Sequence, residues 1–302
     1  MGARVIGLEL EDTRTVAVAV DDAGKVLARA QANADGDLGA AAAKALAQVR
    51  SANPAAPRSV LGVAAVNPES AAVAPVIAQL AIEFGSPAVR GGAVLSGTAA
   101  AAAEAWVGAA RGLKDVVFFG VGEHTTGGVV RDGVAIMGAR GRAGLVAWLA
   151  LNPVEREDYR KTGCLEAEVA AAGIVRRIIW RIKAGDRSRV QDIVKEDFSA
   201  ITADHVLTAA RGGDGVSISV VRDTAKYLGM AAANLVAISD PEILVLGGIM
   251  ASAADLLLEP IRTEIARRLP KPMLDALRIE TALLGDDAAA IGAARIVTAA
   301  IR

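Results

Sequence analysis

Short apolar runs rich in β-branched side chains open the chain, and polar turns separate them. The runs cover residues 4–10, 15–20 and 25–30. Runs of this length joined by tight turns are typical of antiparallel strands. The pattern therefore predicts a three-stranded meander.

The rest of the chain alternates between helical and strand patterns. Apolar spacing predicts helices over 38–52, 70–84 and 98–107, with Ser96 or Thr98 as the N-cap of the third. Buried-strand patterns cover 59–66 and 88–95. A second strand–turn–strand unit follows over 116–133, where Asp132 and Gly133 are predicted to close a hairpin. Later helices are predicted over 166–183, 202–211, 216–239, 256–269 and 287–301, with strands over 243–246 and 277–283.

The same order of elements thus occurs twice, which predicts an α/β protein with mixed sheets and two lobes. We place the N-terminal lobe at residues 1–112 and the C-terminal lobe at 113–287. The last helix, 288–302, is a candidate to complete the N-terminal lobe. Such a duplication predicts a cleft between the halves.

Composition narrows the function classes. The 302 residues include 33 basic and 34 acidic side chains, so charge gives no reason to expect nucleic acid or an anionic membrane as partner. The basic stretch 176–189 is interpreted as a solvated helix face ending in a loop. One cysteine excludes an internal disulfide, and no window approaches the ~20 apolar residues of a membrane span. Because no signal peptide is recognised either, we expect a cytoplasmic protein.

Two polar turns between strands are candidates for phosphate binding, since such turns bring backbone N–H groups close to an anion. The first turn follows Leu10, and the second covers residues 120–128.

Five segments resemble the ROK family of sugar kinases and repressors, within the actin-like ATPase superfamily, and they occur along the chain in the same order as in the family. They are Gly163-Cys164-Leu165-Glu166, residues 240–248, residues 203–214 with Tyr227-Leu228-Gly229, residues 127–133, and residues 290–294. The resemblance implies a two-lobed actin-like (ribonuclease H-like) fold, with ATP and Mg²⁺ as possible cofactors and a sugar as the possible ligand. We also expect a homodimer. Repressors of the family carry an N-terminal helix-turn-helix, which we do not expect here because the first predicted strand begins at Arg4.

The first phosphate turn of the family resembles Asp-Leu-Gly-Gly-Thr-Lys. Here Thr13 and Arg14 remain as phosphate-binding candidates, but Glu11 and Asp12 replace the glycines. A carboxylate repels a phosphate charge by up to ~4 kcal/mol at 4 Å and an effective dielectric of about 20. A divalent ion on Glu11 or Asp12 would reverse that sign. An ordinary polar hairpin is the preferred interpretation.

The second turn resembles Gly-Thr-Gly-Ile-Gly-Gly-Gly. Its phosphate-binding candidates are Gly122, Thr125, Thr126, Gly127 and Gly128. Glu123 and His124 replace a threonine and a glycine. A rebuilt site could use them, but the preferred interpretation of His124 is a loop histidine without a role. At the adenosine end, Gly247 and Gly248 are nucleotide-binding candidates.

The family's general base is an aspartate eight residues before a helix glutamate. Glu104 matches that glutamate, so Ser96 occupies the general-base position and no catalytic residue is assigned. A serine hydroxyl has no useful basicity at neutral pH, and loss of such a base lowers the rate about 10²–10⁴-fold.

The sugar and zinc segments have also changed. Leu145 and Trp148 replace the family's sugar-contacting glutamate and histidine, which leaves Glu166 and Trp148 as sugar-binding candidates. Of three zinc cysteines only Cys164 remains, so no zinc is expected. Salt bridges and packing must then hold residues 153–162.

Three functions stay open at this point. The preferred one is a ROK-fold pseudokinase that keeps a nucleotide, sugar or protein partner. The alternative is a diverged but active glucokinase or N-acetylhexosamine kinase with a rebuilt site. The third is a non-catalytic interaction protein that forms a homodimer through helices such as 166–182, with the apolar run 145–151 in the contact.

Overall fold

Strands and helices alternate along the chain in the computed structural model, which describes residues 5–52, 60–84 and 92–301. The strands are β1 (Val5–Leu10), β2 (Arg14–Val20), β3 (Val26–Asn33), β4 (Val60–Ala65), β5 (Val94–Leu95), β6 (Val116–Val121), β7 (Thr125–Arg131), β8 (Val134–Ala135), β9 (Ile243–Gly248) and β10 (Arg278–Thr281). The helices are α1 (Leu38–Ser51), α2 (Val73–Phe84), α3 (Ser96–Val107), α4 (Glu157–Thr162), α5 (Cys164–Val169), α6 (Ala171–Lys183), α7 (Arg189–Ile193), α8 (Ala203–Arg211), α9 (Gly215–Ser239), α10 (Ile249–Ser252), α11 (Ala254–Ala266), α12 (Lys271–Ala276) and α13 (Ala288–Ile301).

The first sheet has the order β3-β2-β1-β4-β5. Strands β1, β2 and β3 pair antiparallel, whereas β4 runs parallel to both β1 and β5. The predicted meander is therefore confirmed. Every residue of β1 is buried because both faces of the strand are covered. Leu8 packs in a cluster with α1, while Val5 packs in a cluster with α13.

The second sheet has the order β10-β9-β6-β7-β8. When each half is numbered from its own first strand, the first sheet reads 3-2-1-4-5, and the second has the same order when it is taken from β8 to β10. The hairpin between β7 and β8 turns at Asp132 and Gly133, both with positive φ, as predicted. The repeated order of elements and the mixed α/β class are confirmed.

Two glycines let α13 lie directly on the first sheet. A Cβ at Gly7 would overlap the carbonyl oxygen of Ala290, and a Cβ at Gly62 would overlap that of Ala293. Small residues at these crossing points allow helix and strand backbones to approach closely.

Some predicted boundaries are wrong. The helix predicted over 166–183 is two helices, because Ala170 has an extended ψ of 167° that ends α5 before α6 begins. The strand predicted at 277–283 ends at Thr281. The strand predicted at 88–95 falls partly outside the described residues, of which Val94 and Leu95 form β5.

The chain divides into two compact units. The first comprises Met1–Phe118, Thr126–Gly144 and Ala282–Arg302, and the second comprises Phe119–Thr125 and Leu145–Thr281. The lobe boundary at residues 112 and 113 stays a sequence-based prediction. Within the described ranges, no helix is both long and apolar enough to cross a bilayer.

Candidate functional site

The first polar turn joins β1 to β2 in the first unit. Its backbone closes where Glu11 N–H donates to the carbonyl oxygen of Arg14 at 2.9 Å. The Arg14 guanidinium contacts Glu11 Oε2 at 2.8 Å and Asp286 Oδ2 at 2.9 Å. These ion pairs raise the pKa of Arg14, and the hydrogen bond to Glu11 is the largest cause. Arg14 in turn lowers the pKa of Asp286. Arg14, which the sequence predicts to bind phosphate, is therefore already ion-paired within the protein. Asp12 and Thr13 are exposed.

A buried carboxyl lies just before this turn. Glu9 is 6% exposed, and its pKa is raised to about 8. Burial is the main cause and the neighbouring Glu11 carboxylate the second, against smaller lowering effects of Ser96 and Arg14. At neutral pH a carboxyl with this pKa is largely protonated.

Ser96 faces this carboxyl from α3. The expectation that Ser96 caps α3 is wrong, because Leu95 is the extended N-cap residue and Ser96 is the first residue of the helix. Its hydroxyl is buried and close enough to Glu9 to lower the pKa of that carboxyl, although it meets the geometric criteria for a hydrogen bond with no described residue. Ser96, which the resemblance places at the family's general-base position, thus offers a hydroxyl without useful basicity at neutral pH.

Glu104, eight residues further along α3, has a structural task. Its Oε2 accepts from Ala109 N–H at 2.7 Å, and its Oε1 accepts from Leu283 N–H and Leu284 N–H at 3.0 Å. This fully buried carboxylate therefore holds two connecting segments of the first unit in place.

The glycines of the second turn serve two different purposes. A Cβ at Gly128 would overlap the backbone of Gly97 at the start of α3, and a Cβ at Gly97 would overlap the backbone of Gly127. Tight strand–helix packing explains this pair without a phosphate. By contrast, a Cβ at Gly122 would enter open space, and neighbouring Glu123 is exposed.

His124, interpreted from the sequence as a loop histidine without a role, contacts a carboxylate in the structure. Its Nδ1 lies 3.3 Å from Glu166 Oε1 at the start of α5, and Thr125 N–H donates to Glu166 Oε2 at 2.8 Å. The side chains of His124 and Glu166 are 33% and 15% exposed. The Thr125 hydroxyl is buried without a hydrogen-bond partner among the described residues, and Thr126 beside it is half-buried. This cluster combines an imidazole, a carboxylate and an unpaired hydroxyl.

Trp148 ends a short helical turn whose inner residues are buried. The indole is 54% exposed and Leu145 is 39% exposed, whereas Val146 and Ala147 are buried. Core packing therefore does not explain Trp148.

The segment at the family's zinc positions is held by ion pairs and packing, as expected. Arg156 lies 3.0 Å from Asp158, and Lys161 lies 2.7 Å from Glu157. Cys164 packs in a buried cluster with Tyr159 and Ala167. Across residues 5–52, 60–84 and 92–301, no group of three His, Cys, Asp or Glu side chains could hold a metal.

Gly248, at the nucleotide end, has a positive φ of 62° and ends β9. A Cβ there would overlap the carbonyl oxygen of Val121 in β6, so packing within the second unit requires a glycine. Gly247 before it is buried.

Sequence patterns missed two polar groups. Glu9 lies in an apolar strand, and only its position among buried neighbours would have singled it out. Arg177 was placed on a solvated face, but burial lowers its pKa. Since Ile174, Ile178 and Ile182 form the buried stripe of α6, helical spacing puts Arg177 at the edge of that stripe.

The fold is that of the two-lobed sugar kinases. A ROK family glucokinase from Streptomyces griseus, solved with glucose and AMPPNP, superposes with a TM-score of 0.81 at 21% identity over 97% of this chain and 99% of that one. The ROK family profile matches residues 5–300. The chain therefore belongs to the ROK family.

Two curated relatives represent different activities. A glucokinase from Halalkalibacterium halodurans is 34% identical over 66% of this chain and 60% of its own length. A xylose repressor from Caldicellulosiruptor bescii is 29% identical over 66% of this chain and 50% of its own length. The matched part thus spans about half to three fifths of these relatives, and family membership leaves kinase and non-kinase functions open.

Proposed function

We propose that this protein is a ROK-fold pseudokinase, which has lost phosphoryl transfer and still binds a small ligand. The observation that carries the proposal is Ser96. A buried hydroxyl at the general-base position cannot take the proton of a sugar hydroxyl at neutral pH.

The first turn supports the same proposal. Glu11 and Asp12 replace glycines there, and Arg14 is engaged by Glu11 and Asp286. A polyphosphate that approaches this turn would meet the carboxylates of Glu11 and Asp12. It would find neither a glycine backbone nor an unpaired cation there.

Turnover with ATP and Mg²⁺ tests the loss of activity. Glucose, N-acetylglucosamine and N-acetylmannosamine should each give ADP formation no faster than the no-sugar background. As a matched comparison, Ser96→Asp combined with Glu11→Gly and Asp12→Gly should show more turnover than the wild type. An ordinary kcat, about 1–100 s⁻¹, in the unaltered protein would overturn the proposal.

Retained ligand binding is supported by the His124–Glu166–Thr125 cluster. Its half-exposed imidazole and its carboxylate provide donors and acceptors for a sugar. Calorimetry with the three sugars should detect binding that Glu166→Gln weakens and that exposed Glu155→Gln does not. Equal affinities in the two variants would contradict this role of Glu166.

A rebuilt, active kinase is the second candidate, and the His124–Glu166 contact favours it. An imidazole oriented by a carboxylate has the arrangement of a general base. This alternative requires ATP-dependent turnover that His124→Gln lowers about 10²-fold or more while substrate binding persists. It also requires Mg²⁺ with ATP to raise the melting temperature, less so in Glu123→Ala.

We also propose a homodimer that uses α6. Trp180 on that helix is 68% exposed, and Trp148 adds a second large exposed side chain. Light scattering should give the mass of a dimer that Trp180→Glu converts to monomer. A monomeric wild type would exclude this assembly.

A further inference from the structure

A cavity of about 450 Å³ lies within the second unit, and no residue of either polar turn is among those that line it. It is bordered by α6, α9 and the segment before α4, and its polar lining includes Asn152, Arg177, Asp223, Lys226 and Tyr227. A cavity of this size is within the range of small-molecule sites.

Arg177 reaches this cavity with part of its guanidinium unpaired. Its Nη2 donates to the hydroxyl of Thr224. Its Nε and Nη1 are buried, and no described residue accepts a hydrogen bond from either. A buried unsatisfied donor costs about 1–3 kcal/mol, and more on a charged group, so such donors usually have a partner.

The buried carboxylate that lines the same cavity, Glu168, is engaged by other residues. Glu168, which is 4% exposed, accepts from the Tyr159 hydroxyl and from Arg156 Nη1 at 3.2 Å. Arg176 Nη2 lies 3.7 Å from its second oxygen. Glu168 therefore leaves the two Arg177 nitrogens without a partner.

The charges that line the cavity favour an anion. Arg156, Arg177 and Lys226 outnumber Glu168 and Asp223 by one positive charge. Asp223, Asn152 and Tyr227 add groups that exchange hydrogen bonds with hydroxyls. One negative charge and several hydroxyls would satisfy this lining.

We propose that this cavity binds a small hydroxyl-bearing carboxylate of monosaccharide size, whose negative charge is balanced by the excess positive charge of Arg156, Arg177 and Lys226 in the lining. The ligand's hydroxyls face Asp223, Asn152 and Tyr227. This inference does not rest on the pseudokinase proposal, because none of the residues assigned to it lines the cavity.

Gluconate is the probe, with neutral glucose and glucose 6-phosphate as comparison ligands in calorimetry and thermal unfolding. Gluconate should bind the full chain and raise its melting temperature more than either comparison ligand. Arg177→Met should weaken gluconate binding about tenfold or more, because a charged hydrogen-bond donor is removed. Lys183→Met, an exposed cation on the same helix, should bind as the wild type does.

Two further measurements keep the test independent of folding. Lys226→Met removes an exposed cation of the lining and should weaken gluconate binding without loss of structure. Arg177→Met without ligand should be as stable as the wild type or more so, because it removes a buried, partly unpaired charge. The proposal is overturned if gluconate leaves the wild type unshifted, if Arg177→Met binds it unchanged, or if glucose 6-phosphate binds more tightly.

Discussion

Glu9 makes the stability of this protein depend on pH in a direction opposite to that of most acidic residues. Its carboxyl is buried beside Glu11 and Ser96, and its pKa rises from 4.5 to about 8 on folding. Between these two values the unfolded chain releases the proton and the folded chain keeps it. The contribution of protonated Glu9 to the free energy of unfolding is therefore fully present below pH 4.5. It decreases as the pH rises, and the decrease ends above about pH 8.

The size of the effect follows from the shift. One pKa unit corresponds to about 1.36 kcal/mol, so a shift from 4.5 to about 8 removes up to about 5 kcal/mol. Glu9→Gln carries a neutral group of the same shape and escapes this loss. We expect the variant to match the wild type near pH 4.5 and to exceed its free energy of unfolding by a few kcal/mol at pH 8.

Urea unfolding at pH values from 5 to 9 measures this difference. Glu104→Gln is the matched control, since its carboxylate accepts three backbone N–H groups and an amide nitrogen would face one of them. That variant should lose about 1–3 kcal/mol at every pH. A stability difference between Glu9→Gln and the wild type that stays constant from pH 5 to 9 would refute the buried, protonated carboxyl.

Three further predictions concern packing and capping, each measured by urea unfolding. Gly128→Ala should destabilise by about 1–3 kcal/mol through overlap with α3, whereas Gly122→Ala, in open space, should change stability far less; equal effects would contradict the packing explanation. Thr202→Ala should lower the free energy of unfolding by about 1 kcal/mol, because the Thr202 side chain caps α8 by accepting a hydrogen bond from His205 N–H. An unchanged urea midpoint would argue against this cap. Glu166→Ala should cost about 1–3 kcal/mol by leaving Thr125 N–H without its acceptor, a loss that Glu166→Gln should largely restore.

Local sequence chemistry was sufficient for much of the fold. β-branched runs located β1 and β2, and the Asp132-Gly133 pair located the hairpin of the second sheet. Thr202 marked the start of α8, where it forms a reciprocal cap with His205. In these cases the signal and the structure it determines lie within a few residues of each other.

The features that sequence reasoning missed depend on distant contacts. The His124–Glu166 pair joins residues 42 positions apart, which no local spacing reveals. Ala170 breaks a strongly helical pattern, and Ser96 enters the helix that it was expected to cap. Burial of Glu9 and Arg177 follows from which elements cover them.

The substitutions fall into two groups with different consequences for function. In the first unit, Ser96, Glu11 and Asp12 remove a base and add negative charge, changes that act on the transferred phosphoryl group. In the second unit, Glu166 is retained and engaged by His124 and Thr125, and our proposal assigns this cluster to ligand binding. Rate and affinity should therefore respond to different variants. Reversion of the first group should affect turnover with little change in sugar affinity, and substitution of Glu166 should weaken affinity whether or not turnover occurs. If Glu166→Gln instead lowered a measurable kcat and left affinity unchanged, the rebuilt kinase would be the better account of this protein.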